Sequence, residues 1–257
     1  MTPLDRAYAA MIADPEDDAA RLGYYARLAD DELVLLTEAE AKDGNVTPRL
    51  FPLEDGPFVL AFDSEEKLSA FSGGVTDYAA LPGRVIAAQL AGQGVGLGVN
   101  LGADSAMLLP PEAVDWLAGT LEHVPEEMEA QPESFHAPQV PQRLLSALGG
   151  KLAGAAGLAS HALLAGVAYV GGRRGHVLAF IGAKDGAEDA LARSAAEALT
   201  FSGIEAGEMD VVCLPDGPAA RMIAKVGLRL DLPEPAAPVI REIKAPGADP
   251  DAPPKLR

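Results

Sequence analysis

Apolar residues recur along this chain with two spacings, one helical and one strand-like, and the switches between them outline its elements. Residues 4–13 predict a first helix. A second follows Pro15, with Leu22, Tyr25 and Leu28 on one face and acids in its first turn, where the helix dipole favours them. The run 32–37 reads as a central strand and 47–53 as an alternating one. Asp55-Gly56 is a hairpin signal into a strand over 57–62. Asp63 or Ser64 caps the next helix, which turns Leu68 and Phe71 inward and stops at Gly73-Gly74. Pro82 opens a helix to 91, strands are expected at 94–100 and 106–109, and Pro110-Pro111-Glu112 opens a helix to 121.

The pattern then breaks. Over 122–140, Pro125, Pro132, Pro138 and Pro141 just beyond alternate with Glu126, Glu127, Glu129 and Glu133, a composition too polar to fold alone and stiffened by proline. Periodicity resumes with a helix over 142–159 and strands over 163–170 and 176–181, joined by the turn Gly171-Gly172-Arg173-Arg174-Gly175. A helix capped by Asp185 follows to 202, then a strand at 209–214, a helix at 218–226 and a strand at 228–232. The expected architecture is α+β: two domains, each a small mixed β-sheet covered by helices, joined by an acidic Pro-rich linker. The first domain spans 1–121, the linker 122–140, the second domain 141–232, and a disordered Pro/Ala-rich tail 233–257.

Composition adds a lopsided charge. The chain has 257 residues and a net charge of −18, with 49% apolar residues, enough for a sizeable core. Residues 1–135 hold 7 Lys/Arg against 25 Asp/Glu, whereas 136–257 hold 13 of each. An acidic first half argues against a nucleic-acid partner, because phosphate binding needs basic surface. It suits a protein partner with a basic surface, although the same charge also serves solubility alone. Between Lys151 and Arg173 no charged residue occurs, yet the stretch is rich in alanine and glycine and splits into helix and strand, so it is read as core rather than as a membrane span. The opening Met1-Thr2-Pro3-Leu4-Asp5-Arg6 has no basic leader, and a cytoplasmic location is expected.

Candidate chemistry is sparse. Residues 92–102 are glycine-rich, but the glycines alternate instead of following the dinucleotide spacing. Gly94, Gly96 and Gly98 would share one strand face that ends at Asn100, either packed against another element or open as a binding groove. Gly149-Gly150-Lys151-Leu152 lacks the first glycine and the Ser/Thr of a phosphate loop, and Ser160-His161 lacks the frame of a nucleophile elbow. The four histidines form no metal-binding spacing, and the single Cys213 excludes an internal disulfide and reads as an inert strand thiol. No metal or cofactor is expected. Arg173 and Arg174 form the one basic doublet, a solvated hairpin tip or an anion or partner contact.

Several segments together resemble the SseB family, named for an enhanced serine sensitivity phenotype. They are Leu22-Gly23-Tyr24-Tyr25-Ala26-Arg27-Leu28 leading into Leu33-Val34-Leu35-Leu36, the stretch Val59-Leu60-Ala61-Phe62-Asp63-Ser64-Glu65-Glu66-Lys67-Leu68 continuing to Phe71, and Val95-Gly96-Leu97-Gly98-Val99-Asn100. Leu109-Pro110-Pro111-Glu112 matches the family's helix start, and Val167-Ala168-Tyr169-Val170 with Val177-Leu178-Ala179-Phe180-Ile181 is similar to its second domain. Leu101 after Asn100, and the ending Val226-Gly227-Leu228-Arg229-Leu230, depart from the family pattern. The resemblance implies a bacterial, cytoplasmic protein with no established activity and a link to amino-acid metabolism. The leading expectation is a non-enzymatic interaction or regulatory protein that docks its partner through Glu65, Glu66, Asn100 and the glycine face. The alternative is a small-ligand-binding protein or an enzyme using the groove beside Gly94, Gly96, Gly98 and Asn100.

Overall fold

A computed structural model describes residues 1–39, 46–53, 56–122, 131–203 and 209–234. Its first half is built on the strands β1 (Glu32–Leu36), β2 (Phe51–Leu53), β3 (Gly56–Phe62), β4 (Tyr78–Pro82), β5 (Gly96–Val99) and β6 (Met107–Leu109). They lie in the order β4-β1-β3-β5-β6, with β2 on β3, and only β3 and β5 run parallel. Helices α1 (Pro3–Ala13), α2 (Asp18–Asp30), α4 (Gly83–Leu90) and α5 (Pro111–Glu122) join the face carrying Leu33, Leu35, Val59, Ala61, Leu97 and Val99 in one core. The opposite face carries Val34, Leu36, Leu60 and Phe62, packed with Leu68 of the short α3 (Glu65–Ser72).

Local chemistry explains most of these boundaries. Thr2 caps α1 with a full capping box: its hydroxyl accepts from the Asp5 amide at 3.0 Å, and the Asp5 carboxylate accepts from the Thr2 amide at 2.9 Å. Ser64 caps α3, and Gly73 ends it in the left-handed region. Two expectations change. Of the strand expected over 47–53 only β2 is a strand, with one isolated bridge from Thr37 to Pro48. Strand β4, which no alternation signalled, pairs with β1 at the sheet edge, where its terminal Pro82 is tolerated.

The second sheet has the order β10-β9-β8-β11, made of β8 (His161–Tyr169), β9 (Arg174–Ile181), β10 (Met209–Leu214) and β11 (Leu228–Asp231), with β7 (Pro132–His136) also on β8. One face packs on α6 (Gln142–Ala153) and α7 (Glu188–Phe201) through Leu148, Leu164, Phe180 and Leu191. The other packs on α8 (Pro218–Ala224) through Val167, Val177 and Ile223. Both sheets mix parallel and antiparallel pairs, so the fold is α+β with two separately sheeted halves.

The stretch expected as linker contributes β7. The physical reason lies in β8, whose outer edge is paired by β11 only from His161 to Leu164. Strand β7 pairs the remainder, from Gly166 to Tyr169, and so satisfies backbone groups that would otherwise lack partners. Residues 123–130 of that linker, and the tail from 235 onward, lie outside the described residues. Helix α6 stops at Ala153 rather than at 159, because Gly154 caps it and Gly157 follows with a φ of +71°. The uncharged stretch thereby divides into helix end, turn and strand. Among the described residues no helix is long and apolar enough to cross a membrane.

Candidate functional site

The glycine face is filled. Gly94 belongs to the turn before β5, with a φ of +67°, and does not share a strand face with the other two. A Cβ on Gly96 would lie 2.3 Å from the Phe58 ring, and one on Gly98 would lie 2.6 Å from Leu60. The side chains of the neighbouring parallel strand thus occupy the room that the glycines leave, and no groove remains there. The packing that does the filling comes from β3, not from a helix.

Asn100 is fully buried and adopts a left-handed φ of +52°, the one non-glycine residue among those described with a positive φ. Its side-chain oxygen accepts from the Asp63 amide at 3.0 Å and its amide nitrogen donates to Ser105 Oγ at 3.1 Å. Ser105 in turn donates to Asp5 at 2.6 Å, and Lys67 Nζ lies 2.5 Å from Asp5, 2.8 Å from Asp63 and 3.4 Å from Ser105. Burial would raise the Asp5 pKa, but hydrogen bonds from Lys67, Ser105 and the Thr2 backbone outweigh it and hold this carboxyl well below the usual range. Burial likewise opposes charge on Lys67, and its bonds to Asp5 and Asp63 reverse that and push its pKa up. A lysine held in its ammonium form cannot activate Ser105 as a nucleophile. The cluster therefore ties α1, α3 and the turn after β5 together.

Glu65 and Glu66 are exposed in the first turn of α3. The Tyr78 hydroxyl donates to Glu65 at 2.6 Å, joining α3 to the start of β4. Glu38 and Asp77 lie close by, since the Thr37 amide bonds the Asp77 carbonyl at 3.1 Å, and both are exposed. Between these acids Phe71 and Tyr78 are more than a third exposed and Val75 is fully so. Lys67 is the one cation in residues 62–78, and it faces the buried cluster. The result is an acidic surface set with apolar side chains.

Arg173 and Arg174 part company. The Arg173 guanidinium stacks 4.2 Å from the centre of the Tyr169 ring and pairs with Asp210 at 2.9 Å, so it holds β10 to the hairpin. Arg174 is exposed at the start of β9. Cys213 lies in β10 with its thiol pushed up by burial and by Glu188, which favours the neutral thiol over the thiolate. Among the described residues no group of three or more His, Cys, Asp or Glu could hold a metal ion.

Sequence reading missed the contact between the halves. Phe201, at the end of α7, belongs to the core of the first half and meets Trp116 edge-on at 6.4 Å. Gly203 follows with a φ of +65°, and a Cβ there would lie 3.1 Å from Ala19. Beside them four charges form a closed set. Arg84 holds both oxygens of Glu197, at 3.0 and 3.1 Å, and also reaches Asp30 at 2.5 Å. Lys151 completes the set at 2.7 Å from Glu197 and 2.8 Å from Asp30. Burial would raise the Glu197 pKa, but the bonds from Arg84 and Lys151 hold it below its ordinary value.

Two ion-pair bridges then link α2 with α6. Arg143 grips Asp17 with two bonds, 2.9 and 3.1 Å, at their N-terminal ends, and Lys151 meets Asp30 at their C-terminal ends. Between the two bridges lies a cleft of about 480 Å³ with a floor of Ala198 and Phe201. No curated protein and no solved structure matches the chain. Residues 4–116 match the family described as SseB protein N-terminal domain. The first half of this chain, with the larger sheet and the acidic surface, therefore belongs to the SseB family.

Proposed function

We propose that the protein is a non-enzymatic interaction protein of the cytoplasm, whose first domain docks a basic protein partner through the surface around Glu65, Glu66, Asp77 and Glu38. One observation carries this reading: exposed Phe71, Val75 and Tyr78 stand among the exposed acids Glu65, Glu66 and Asp77, while Lys67, the one cation in residues 62–78, is turned to the buried cluster. Apolar side chains inside a charged rim are the ordinary anatomy of a docking patch. Steering by opposite charge would speed encounter and make it depend on salt. Regulation of amino-acid metabolism would fit the phenotype behind the family name.

Capture from native lysate tests the reading, with the parent chain and the double variant Glu65→Lys/Glu66→Lys compared at low and high salt. A partner held by the parent should be lost from the variant and released by about 0.5 M salt, where the screening length falls to a few ångströms. Reversing two charges in the first turn of α3 costs the fold about 0.3–1 kcal/mol each, and losing the Tyr78 bond to Glu65 about 0.5–1.5 kcal/mol more, so the variant should remain folded. Equal capture by both chains removes the acidic surface as the docking site.

A further inference from the structure

We propose that the partner docks as an extended segment of alternating basic and apolar residues, which joins the first sheet at the open edge of β4. This rests on the docking surface described above and specifies how the partner sits on it and what chemistry it carries.

The backbone decides the mode. Strand β4 ends the sheet order, and no described strand pairs with its outer side. Which of its groups face outward follows from the bonds at its two ends. The Thr37 amide donates to the Asp77 carbonyl at 3.1 Å, and the Gly83 amide to the Asp31 carbonyl at 3.0 Å. Bonded positions alternate in an antiparallel pair, so Ala79 and Leu81 also turn their amides and carbonyls to β1. Tyr78 and Ala80 turn theirs outward. Pro82 adds a carbonyl but no donor and stops the ladder there. Outward amides and carbonyls on a sheet edge are a template for one more strand. No charged side chain on β4 guards this edge, whereas β6, at the far end of the order, is only three residues long.

The two faces decide the chemistry. The side chains of Tyr78, Ala80 and Pro82 share the α3 face with Leu36, Val34 and Glu32, their partners in β1. On that face Glu65 accepts from the Tyr78 hydroxyl at one end of β4, and exposed Glu32 stands opposite Pro82 at the other. From Tyr78 to Pro82 is about 13 Å at about 3.3 Å per residue. An added strand presents every second side chain to this face, so basic groups at alternate positions meet both acids, and one of them covers the exposed Tyr78 ring. The other face carries Ala79, which is buried, and Leu81, which packs on the first core. The intervening residues of the partner are therefore apolar and extend that core.

The probe is the blocked peptide acetyl-Lys-Val-Lys-Val-Lys-Val-Lys-amide, titrated calorimetrically into the full chain, with the same peptide carrying glutamate for lysine as control. Ala80→Pro tests the mode. It removes an amide that faces away from β1, and proline is tolerated on an edge strand where its nitrogen faces solvent. Amide exchange in the parent gives a reading that does not depend on how that variant folds. Peptide should slow exchange at Tyr78 and Ala80 and leave Ala79 and Leu81, already bonded to β1, unchanged.

The parent should bind the lysine peptide saturably and the glutamate peptide not at all. Ala80→Pro and Glu65→Lys/Glu66→Lys should each weaken binding about tenfold or more. Full binding by Ala80→Pro, or unchanged exchange at Tyr78 and Ala80, overturns strand addition. If the charge-reversed chain alone loses the peptide, the acidic surface stands as the docking site and the β4 edge does not. If Ala80→Pro alone loses it, the edge stands and the Glu65 and Glu66 surface falls. Absence of saturable peptide binding also overturns strand addition, and capture from lysate then decides the acidic surface by itself.

Discussion

Asn100 shows how one side chain can be marked correctly by its surroundings in sequence and still be given the wrong task. It stands where a glycine-rich strand ends, which suggested a contact for a ligand or partner. The structure buries it in a left-handed turn, with its amide spanning Asp63 and Ser105. Replacing it with alanine removes both bonds and keeps the strained φ. We expect Asn100→Ala to lower the unfolding free energy by about 2–5 kcal/mol, since an orphaned buried partner costs about 1–3 kcal/mol and a left-handed residue about 1–2. Asn100→Gly loses the same bonds without the strain and should be milder by about 1–2 kcal/mol. Urea unfolding of the two variants separates the contributions, and equal losses would mean that the conformation carries no cost. The strand leading to it was visible in the sequence because glycine spacing is local. The burial was not, because it depends on Asp63, thirty-seven residues away.

Helices were the best-read elements, and the reasons are local too: Thr2, Ser64 and Gly73 act within a turn of themselves. Strand β4 escaped because Tyr78-Ala79-Ala80-Leu81-Pro82 has no alternation, and only pairing with β1 makes it a strand. Strand β7 escaped because its acids and proline read as linker, while the edge it fills belongs to β8. Lys151 was noticed only as part of a failed phosphate loop. Its partners Asp30 and Glu197 are brought to it by three helices, so nothing nearby in the chain announces them. The contact among α4, α6 and α7 also carries a pH dependence. Glu197 has a lower pKa folded than unfolded, so its contribution is complete above its ordinary value of 4.5 and is lost as pH falls through the depressed folded value. Acid titration followed by Trp116 fluorescence should show docking weaken below about pH 4.5. Glu197→Gln should remove that step, and an unchanged titration would assign it to other carboxylates.

At the scale of the whole molecule, the division into two domains was legible from charge and composition, but their union was not. Phe201 belongs by sequence to the second half and by packing to the first. Thermal unfolding should therefore be a single transition in the parent chain. Phe201→Ala should cost about 3–5 kcal/mol, the usual loss for a buried aromatic, and split the transition in two. Two transitions already present in the parent would show that the halves unfold independently.

Strands β7 and β11 have one more consequence. Both run antiparallel to β8 along the same edge, β7 against Gly166 to Tyr169 and β11 against His161 to Leu164, so they lie in line like two pieces of one strand. The chain enters this sheet at the outer end of one piece and leaves at the outer end of the other. A force drawn between those two points pulls each piece along its own axis, so that its hydrogen bonds share the load together instead of parting one by one. The second half is thus mounted in its chain as a shear joint.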